Sequence, residues 1–345
     1  MSKFDIYEQM FSELTTGVRC AATIPYEYTI AEGTLPDHLG ISKFGHNPDV
    51  GAVLEEVWDG TNPYAGYLTT ASVLEIASAD IDDQGLLITT GTNTGGSKTV
   101  LIDTEATFET DSVAIGDAVL DDTNNEYGIV TSIDSETQIT MFAAVIRTGI
   151  DGGLDFTTPG STYRIVNAND TGAAVVEIQG LDANWAFQKD FIILNGQTDV
   201  LTTNTYLRVF RAKVILAGSS GWNEGTIDVD DAGNTNLIGR ITAKYNQTLM
   251  AMWTVPASKM AYVTRVYATT AIVNKPTTIH IYVRWFGSVF QLKKSLTLTA
   301  NNMILDWSVP MAVPEKSDIK IMALAEGGGG AVSAGFDLWY EPKSN

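Results

Sequence analysis

The chain has 345 residues, with 41 acidic against 21 basic side chains and a formal net charge of −20. That surplus of acid excludes a general nucleic-acid binder, which neutralises phosphates with Lys and Arg. Hydrophobic residues at 44% and charged residues at 18% exclude a disordered chain, and a single cysteine, Cys20, excludes a disulfide framework or Cys-based metal cluster.

The length predicts two or three domains. No run of 18 apolar residues occurs, so no membrane span is expected. The opening Met1–Glu8 carries acids within its apolar pattern and does not read as a signal peptide. The chain is therefore expected to be made in a cytoplasm, with neither membrane nor nucleic acid among its partners. Near the N-terminus, Phe4, Tyr7, Met10, Phe11 and Leu14 fall at helical spacing, with Ser2 and Asp5 as a capping pair and Gly17 as a stop. So short a helix needs a surface to lie on. That surface is the same subunit or, if residues 1–20 form an anchoring arm, a neighbour.

Beyond it the pattern alternates. Strands are predicted at Tyr67–Ala77, Ala173–Leu181, Trp185–Leu194, Tyr206–Leu216 and Met260–Val273. Ile279, Ile281, Val283 and Trp285 form one buried face, continued by Phe290, Leu292, Leu296 and Leu298. Gly-, Asn- and Asp-rich turns such as Asn195-Gly196 and Gly218–Gly221 separate the strands. Residues 80–170 hold 16 acids and 3 bases, whereas residues 240–345 hold 6 and 11. The acidic stretch has its own short strands, Val113–Leu120, Tyr127–Ile133 and Thr137–Val145. The expected fold is all-β: two antiparallel, jelly-roll-like β-sandwiches, one of residues 21–83 plus 169–239 and one of 240–345, with a small barrel of residues 84–168 inserted in the first.

Catalytic signatures do not emerge. Gly218-Ser219-Ser220-Gly221 lacks the spacing and following helix of a serine nucleophile elbow. Cys20 lies among Val18, Ala21 and Ala22, which favours a buried small residue over a nucleophile paired with His38 or His46. His280 alternates with apolar strand positions and reads as a packed or surface histidine. Asp80–Gly85 imitates the first half of a calcium loop and Asp228–Gly233 does so less well, with Ala232 at the fifth position, but Gly91 and Gly239 stand where the closing glutamate belongs. Both read as solvated turns, and no metal or cofactor is expected. Aromatics are the better functional candidates: Trp58, in a turn-rich segment with Tyr64, is expected at a surface contact with a protein or ligand.

Several segments together resemble virion structural proteins of tailed bacteriophages, of the aquatic-phage type. They are Leu54-Glu55-Glu56-Val57-Trp58-Asp59-Gly60, Val176–Ala183, Asn204–Val209, Ala217–Ile227, Val255-Pro256-Ala257 and Val313–Ile319. The resemblance covers most of the chain outside 84–168 and carries no functional residues with it. It implies a non-enzymatic component of the virion, decorating the capsid or forming a head fibre. Such a protein would assemble as a symmetric oligomer, a homotrimer by habit of the group, against the major capsid or other virion proteins. The alternatives are a tail-associated protein that binds host-surface glycan and, further off, a polysaccharide depolymerase using two acids.

Overall fold

The computed structural model describes residues 26–31, 35, 37–143, 154–233, 236–272, 275–299, 302–327 and 329–343. The helix expected from Phe4, Tyr7, Met10, Phe11 and Leu14 lies outside these residues, as does Cys20. The fold is all-β with antiparallel sheets, and among the described residues the one helix is α1 (Tyr26–Ala31).

After α1 come β1 (Leu39–Asn47), β2 (Glu55–Glu56) and β3 (Ser72–Ser78). The next seven strands form one sheet: β4 (Gly85–Thr92), β5 (Gly95–Gly96), β6 (Val100–Ile102), β7 (Ala118–Asp121), β8 (Glu126–Ser135), β9 (Gln138–Ala143) and β10 (Thr162–Ala168). Its order is β4-β10-β7-β8-β9-β6-β5. β4 and β5 are consecutive parts of one segment, the first paired to β10 and the second to β6, so the sheet returns on itself as a small barrel. The bend falls at Asn93, which is buried. Its amide donates to the carbonyls of Phe156 and Thr158, and its Oδ1 accepts from the Ser161 N–H. Phe108, Val119, Ile139, Phe156 and Ile165 fill the interior.

Six strands follow: β11 (Ala173–Leu181), β12 (Phe187–Ile193), β13 (Val200–Tyr206), β14 (Arg208–Ala217), β15 (Ile227–Asp231) and β16 (Leu237–Ile241). With β3 they make a sandwich of two sheets, β12-β11-β14 and β13-β3-β15-β16, around Leu74, Ile76, Val176, Ile178, Val229 and Ile238. β11 is buried along nearly its whole length because its other face carries the barrel. Ala118, Leu120 and Val166 of the barrel pack on Val175, Phe191 and Leu216, and Lys189 reaches Glu126 at 2.7 Å, both buried.

The last strands are β17 (Met252–Thr254), β18 (Lys259–Thr270), β19 (Thr277–Arg284), β20 (Gln291–Leu298), β21 (Asn302–Val313), β22 (Asp318–Ala325) and β23 (Val332–Pro342). Two sheets, β1-β23-β18-β21 and β17-β22-β19-β20, pack face to face. Counting β1 as the first of eight strands and β23 as the last, the orders are 1-8-3-6 and 2-7-4-5, two interlocked Greek keys that make a jelly roll. The domain boundaries read from the sequence need correction here. Residues 39–57, assigned to the first sandwich, belong to the second. Leu39↔Tyr340 through Asn47↔Val332 pair β1 with β23.

The second jelly-roll strand is split in two. β2 pairs with Met322 and Ala323, and β17 pairs with residues 318–320 of the same β22. Between them the Val57 N–H donates to the Ile321 carbonyl, the Ile321 N–H donates to the Ala251 carbonyl, and the Ala251 N–H donates to the Val57 carbonyl. Chain leaves the edge strand at Val57 and returns at Ala251, so the other sandwich, with the barrel nested in it, is carried within a strand. Local alternation cannot reveal this, because the pairing partners of β1 and β2 lie about 270 to 300 residues downstream.

The outgoing segment is glued down by aromatics. Trp58 and Tyr64 meet edge to face at 4.9 Å, Tyr64 and Tyr67 at 5.2 Å, and Tyr67 and Phe290 at 5.3 Å. Asp59, beside them, accepts a 2.8 Å hydrogen bond from the Thr242 hydroxyl, but burial pushes its carboxyl up to about 6. Burial and the Asp228 charge do the same to Asp230. Both folded values exceed the ordinary 3.8, so each group favours folding while protonated, and that contribution is lost as pH rises through about 6. Urea unfolding is therefore expected to show stability about 1–2 kcal/mol greater at pH 5 than at pH 7, below the upper bound of about 3 kcal/mol per group. Asp59→Asn should flatten part of that dependence.

Candidate functional site

Where the two sandwiches meet, five short segments surround a groove of about 580 Å3, within the size range of small-molecule sites. They are Tyr67–Ala71 after the aromatic ladder, Ala183–Trp185 in the β11–β12 turn, Leu207–Arg208 entering β14, Arg284–Ser288 in the β19–β20 turn, and Lys316 with Asp318 at the start of β22.

Asp318, 2% exposed, organises the floor. Its Oδ1 accepts from Arg208 Nε at 2.9 Å and from the Thr254 hydroxyl at 2.7 Å; its Oδ2 accepts from Arg284 Nε at 2.8 Å and Nη2 at 2.6 Å. Arg208 also donates to the carbonyls of Leu68 and Leu207. The Arg284 guanidinium lies 4.7 Å from the Tyr67 ring and 4.5 Å from Phe290. Below them Lys320 pairs with Glu56 at 2.7 Å and lies 4.4 Å from Phe290. The Tyr67 hydroxyl is buried without a hydrogen-bond partner, and burial holds its phenol well above the usual range.

The walls are aromatic. Trp185 has φ +65°, the left-handed region that a bulky side chain rarely adopts. Its turn is held by Asp182, whose Oδ1 accepts the N–H groups of Asn184 and Ala186. The Trp185 ring covers Arg208 at 4.9 Å and meets Phe286 edge to face at 5.5 Å. Across the groove Trp285 and Phe286 are 49% and 62% exposed.

The structure places the sequence-predicted residues elsewhere. Trp58 and Tyr64, expected at a surface contact, are 0% and 7% exposed and pack with Met250 and Met252. The turn-rich segment containing them is the crossing between two sandwiches, so its large side chains are covered from both sides. Trp285 is corrected in the opposite sense. Ile279, Ile281 and Val283 are buried as their spacing predicts, but the strand ends at Arg284, and the turn closed by Gly287 (φ +71°) swings Trp285 outward. Leu292 is likewise exposed, because the β19–β20 register slips between Ile281↔Lys294 and Tyr282↔Leu292 and a bulge at Lys293 reverses the faces.

The other candidates are dispersed. His38 lies 3.6 Å from Glu341, His46 bonds the Ser333 hydroxyl and His280 faces the Tyr282 hydroxyl, so the three do not converge. In the calcium-like stretches, Asp83 accepts backbone N–H groups, Asp228 pairs with Arg240, and Asp231 accepts from Asn236. A second cavity, of about 480 Å3 on the barrel, is lined by Thr89–Thr94 with Asp103, Glu105 and Asp111. Asp103 there holds the Tyr163 hydroxyl at 2.7 Å. The signal that could have found the groove is Arg284-Trp285-Phe286-Gly287, a cation and two aromatics in a glycine turn, which the alternating pattern absorbed into a strand.

Among its described lining residues the groove offers cations and aromatic planes. Asp318 is the one carboxylate among its described lining residues, and two guanidiniums pair with it. Glycoside hydrolysis needs two carboxyls flanking the bond.

No protein-family model matches the chain, and no curated protein matches it. Two structures of infectious bursal disease virus match at 12% identity. The Gt-strain structure has a TM-score of 0.18 over 92% of this chain and 78% of that one, and the Gx-strain structure 0.21 over 93% and 79%. Scores this low carry no argument about fold or function.

Proposed function

We propose that the protein is a non-enzymatic virion structural component of the phage type, in which the jelly roll is the assembling base and the nested sandwich and barrel are displayed from it. One observation carries this reading. One lateral edge of the jelly roll carries the insertion, and the opposite edge is bare. There, among the described residues, β20 and β21 end their sheets unpaired and expose Leu292 (47%), Ile304 (65%) and Val309 (78%). Edge strands that expose large apolar side chains are a liability in a solitary protein and fit a neighbour. The neighbour proposed is a second copy of this chain. The C-terminal third is net basic and the barrel segment strongly acidic, so one copy's edge and another's barrel attract. Capsid decoration or a head fibre is the expected setting, with the virion as location, residues 1–20 as the anchor arm and other virion proteins as partners.

Jelly rolls recur in viral shells and in lectins, an analogy of architecture. The aromatic groove accordingly favours a second reading, a tail-associated protein recognising host glycan.

Native mass measurement of the full chain is expected to give a closed oligomer, a trimer by the group's habit. Ile304→Lys with Val309→Lys should return it to monomer while leaving the melting temperature within a few degrees. A wild-type monomer at micromolar concentration would overturn the assembling base.

A further inference from the structure

We propose that the groove between the two sandwiches is a binding site for a carboxylated sugar, with Trp185, Trp285 and Phe286 supplying apolar planes and Arg284 and Lys316 holding the carboxylate. The inference stands on the groove alone and not on the assembly reading.

Charge comes first. The groove is lined by Arg208, Arg284 and Lys316 against one carboxylate, Asp318, a cationic surplus in a chain of net charge −20. Asp318 engages Nε and Nη2 of Arg284, and Arg284 Nη1 has no hydrogen-bond partner among the described residues. Lys316 forms no ion pair among the described residues; its ammonium lies 5.3 Å from the Phe286 ring. Two cationic groups therefore face the groove with donors to spare. The hydroxyls of Thr69, Thr70 and Ser288 stand exposed on its rim.

Rigidity comes second. Arg284 packs against two rings and is clamped by Asp318, so little side-chain freedom is lost when it meets an anion. Trp185 is held at positive φ by its Asp182 turn. Strain of that kind persists where the surroundings over-determine it, and it gathers at ligand clamps. Trp285 stays half exposed, with Lys293 4.8 Å from its ring centre.

Ligand class follows from the combination. Exposed aromatic planes beside rim hydroxyls suit the C–H faces and hydroxyls of a sugar. A guanidinium edge with an adjacent ammonium suits a planar carboxylate. Guanidinium and ammonium groups hold phosphate as well as carboxylate; the aromatic planes and rim hydroxyls favour a sugar acid over a bare phosphate, and competition with inorganic phosphate separates the two.

The test titrates the full chain with trigalacturonic acid and 3′-sialyllactose, followed by calorimetry and tryptophan fluorescence. Their neutral counterparts, the methyl-esterified trimer and lactose, serve as controls. At least one acidic sugar is expected to bind saturably and at least tenfold more tightly than its counterpart. Trp285→Ala should weaken it about tenfold and Lys316→Gln about threefold to tenfold with a shallower salt dependence, both with unchanged melting temperature. The proposal is overturned if neither acidic sugar binds saturably, if neutral and acidic sugars bind equally, or if Trp285→Ala leaves the affinity unchanged. Full displacement of the bound sugar by inorganic phosphate at equal concentration would overturn the sugar assignment in favour of a simple anion site.

Discussion

Replacing Asp318 with alanine is expected to destabilise the protein by about 3–5 kcal/mol, a large share of an ordinary total stability of about 5–15 kcal/mol. The carboxylate is 2% exposed and receives Arg208, Arg284 and the Thr254 hydroxyl. Without it Arg208, itself 7% exposed, keeps its charge in a buried place with only carbonyls and aromatic rings as partners. The cost is mainly that of an uncompensated charge, so Asp318→Asn should fall between wild type and alanine. The matched control is Asp306→Ala. Asp306 and Arg265 form an equally short pair at 2.6 Å, but both are about half exposed, and such pairs contribute under about 1 kcal/mol. Chemical denaturation of the three variants measures the difference; equal losses for Asp318→Ala and Asp306→Ala would show that burial of the cluster has been misjudged. Arg284 would also lose its clamp, so residual folded Asp318→Asn should bind groove ligands less well.

Asp83→Ala is expected to cost about 3–6 kcal/mol, by leaving several buried donors unsatisfied at about 1–3 kcal/mol each. Asp83 is fully buried at the point where chain passes from the sandwich into the barrel. Its Oδ1 accepts the N–H groups of Ala173 and Glu224 at 2.7 and 2.8 Å; its Oδ2 accepts the Gly225 N–H at 2.9 Å and the Ser78 hydroxyl. One side chain thus ties the outgoing strand, the returning strand and the loop before β15. Gly172 is glycine because a Cβ there would strike Asp83. The barrel has its own interior of Phe108, Val119, Ile139 and Phe156, so the loss should fall on the sandwich. Hydrogen exchange is expected to accelerate at 171–173 and 223–225 while amides of β7, β8 and β9 stay protected. Uniform acceleration through the barrel would instead mean that the two modules unfold as one.

Strand content was readable in advance for a physical reason. A half-buried strand alternates side chains between core and solvent, and that period of two is written locally, as in Ile279, Ile281 and Val283 or along Ala173–Leu181. Errors began where a local pattern met a non-local event. Trp285 continues the alternation in sequence, but a glycine turn ends the strand one residue before it. Leu292 continues it as well, until a bulge exchanges the faces. Trp58 looked like a loop residue and is covered because two sandwiches close over the crossing. Of the groove's five segments only Arg284-Trp285-Phe286-Gly287 carries a local signal; Arg208 and Arg284 become a site through a shared carboxylate on β22.

Composition and periodicity sufficed to specify an acidic, cysteine-poor, all-β molecule with antiparallel sheets, since charge balance and pleat alternation depend on neighbours in the chain. Pairing of β1 and β2 with strands near the C-terminus, interruption of one jelly-roll strand by residues 58–250, and the cationic aromatic groove were decided by tertiary structure. Each depends on which distant surfaces exclude water from one another, and a contact between residues far apart in the chain leaves no mark on the residues beside either.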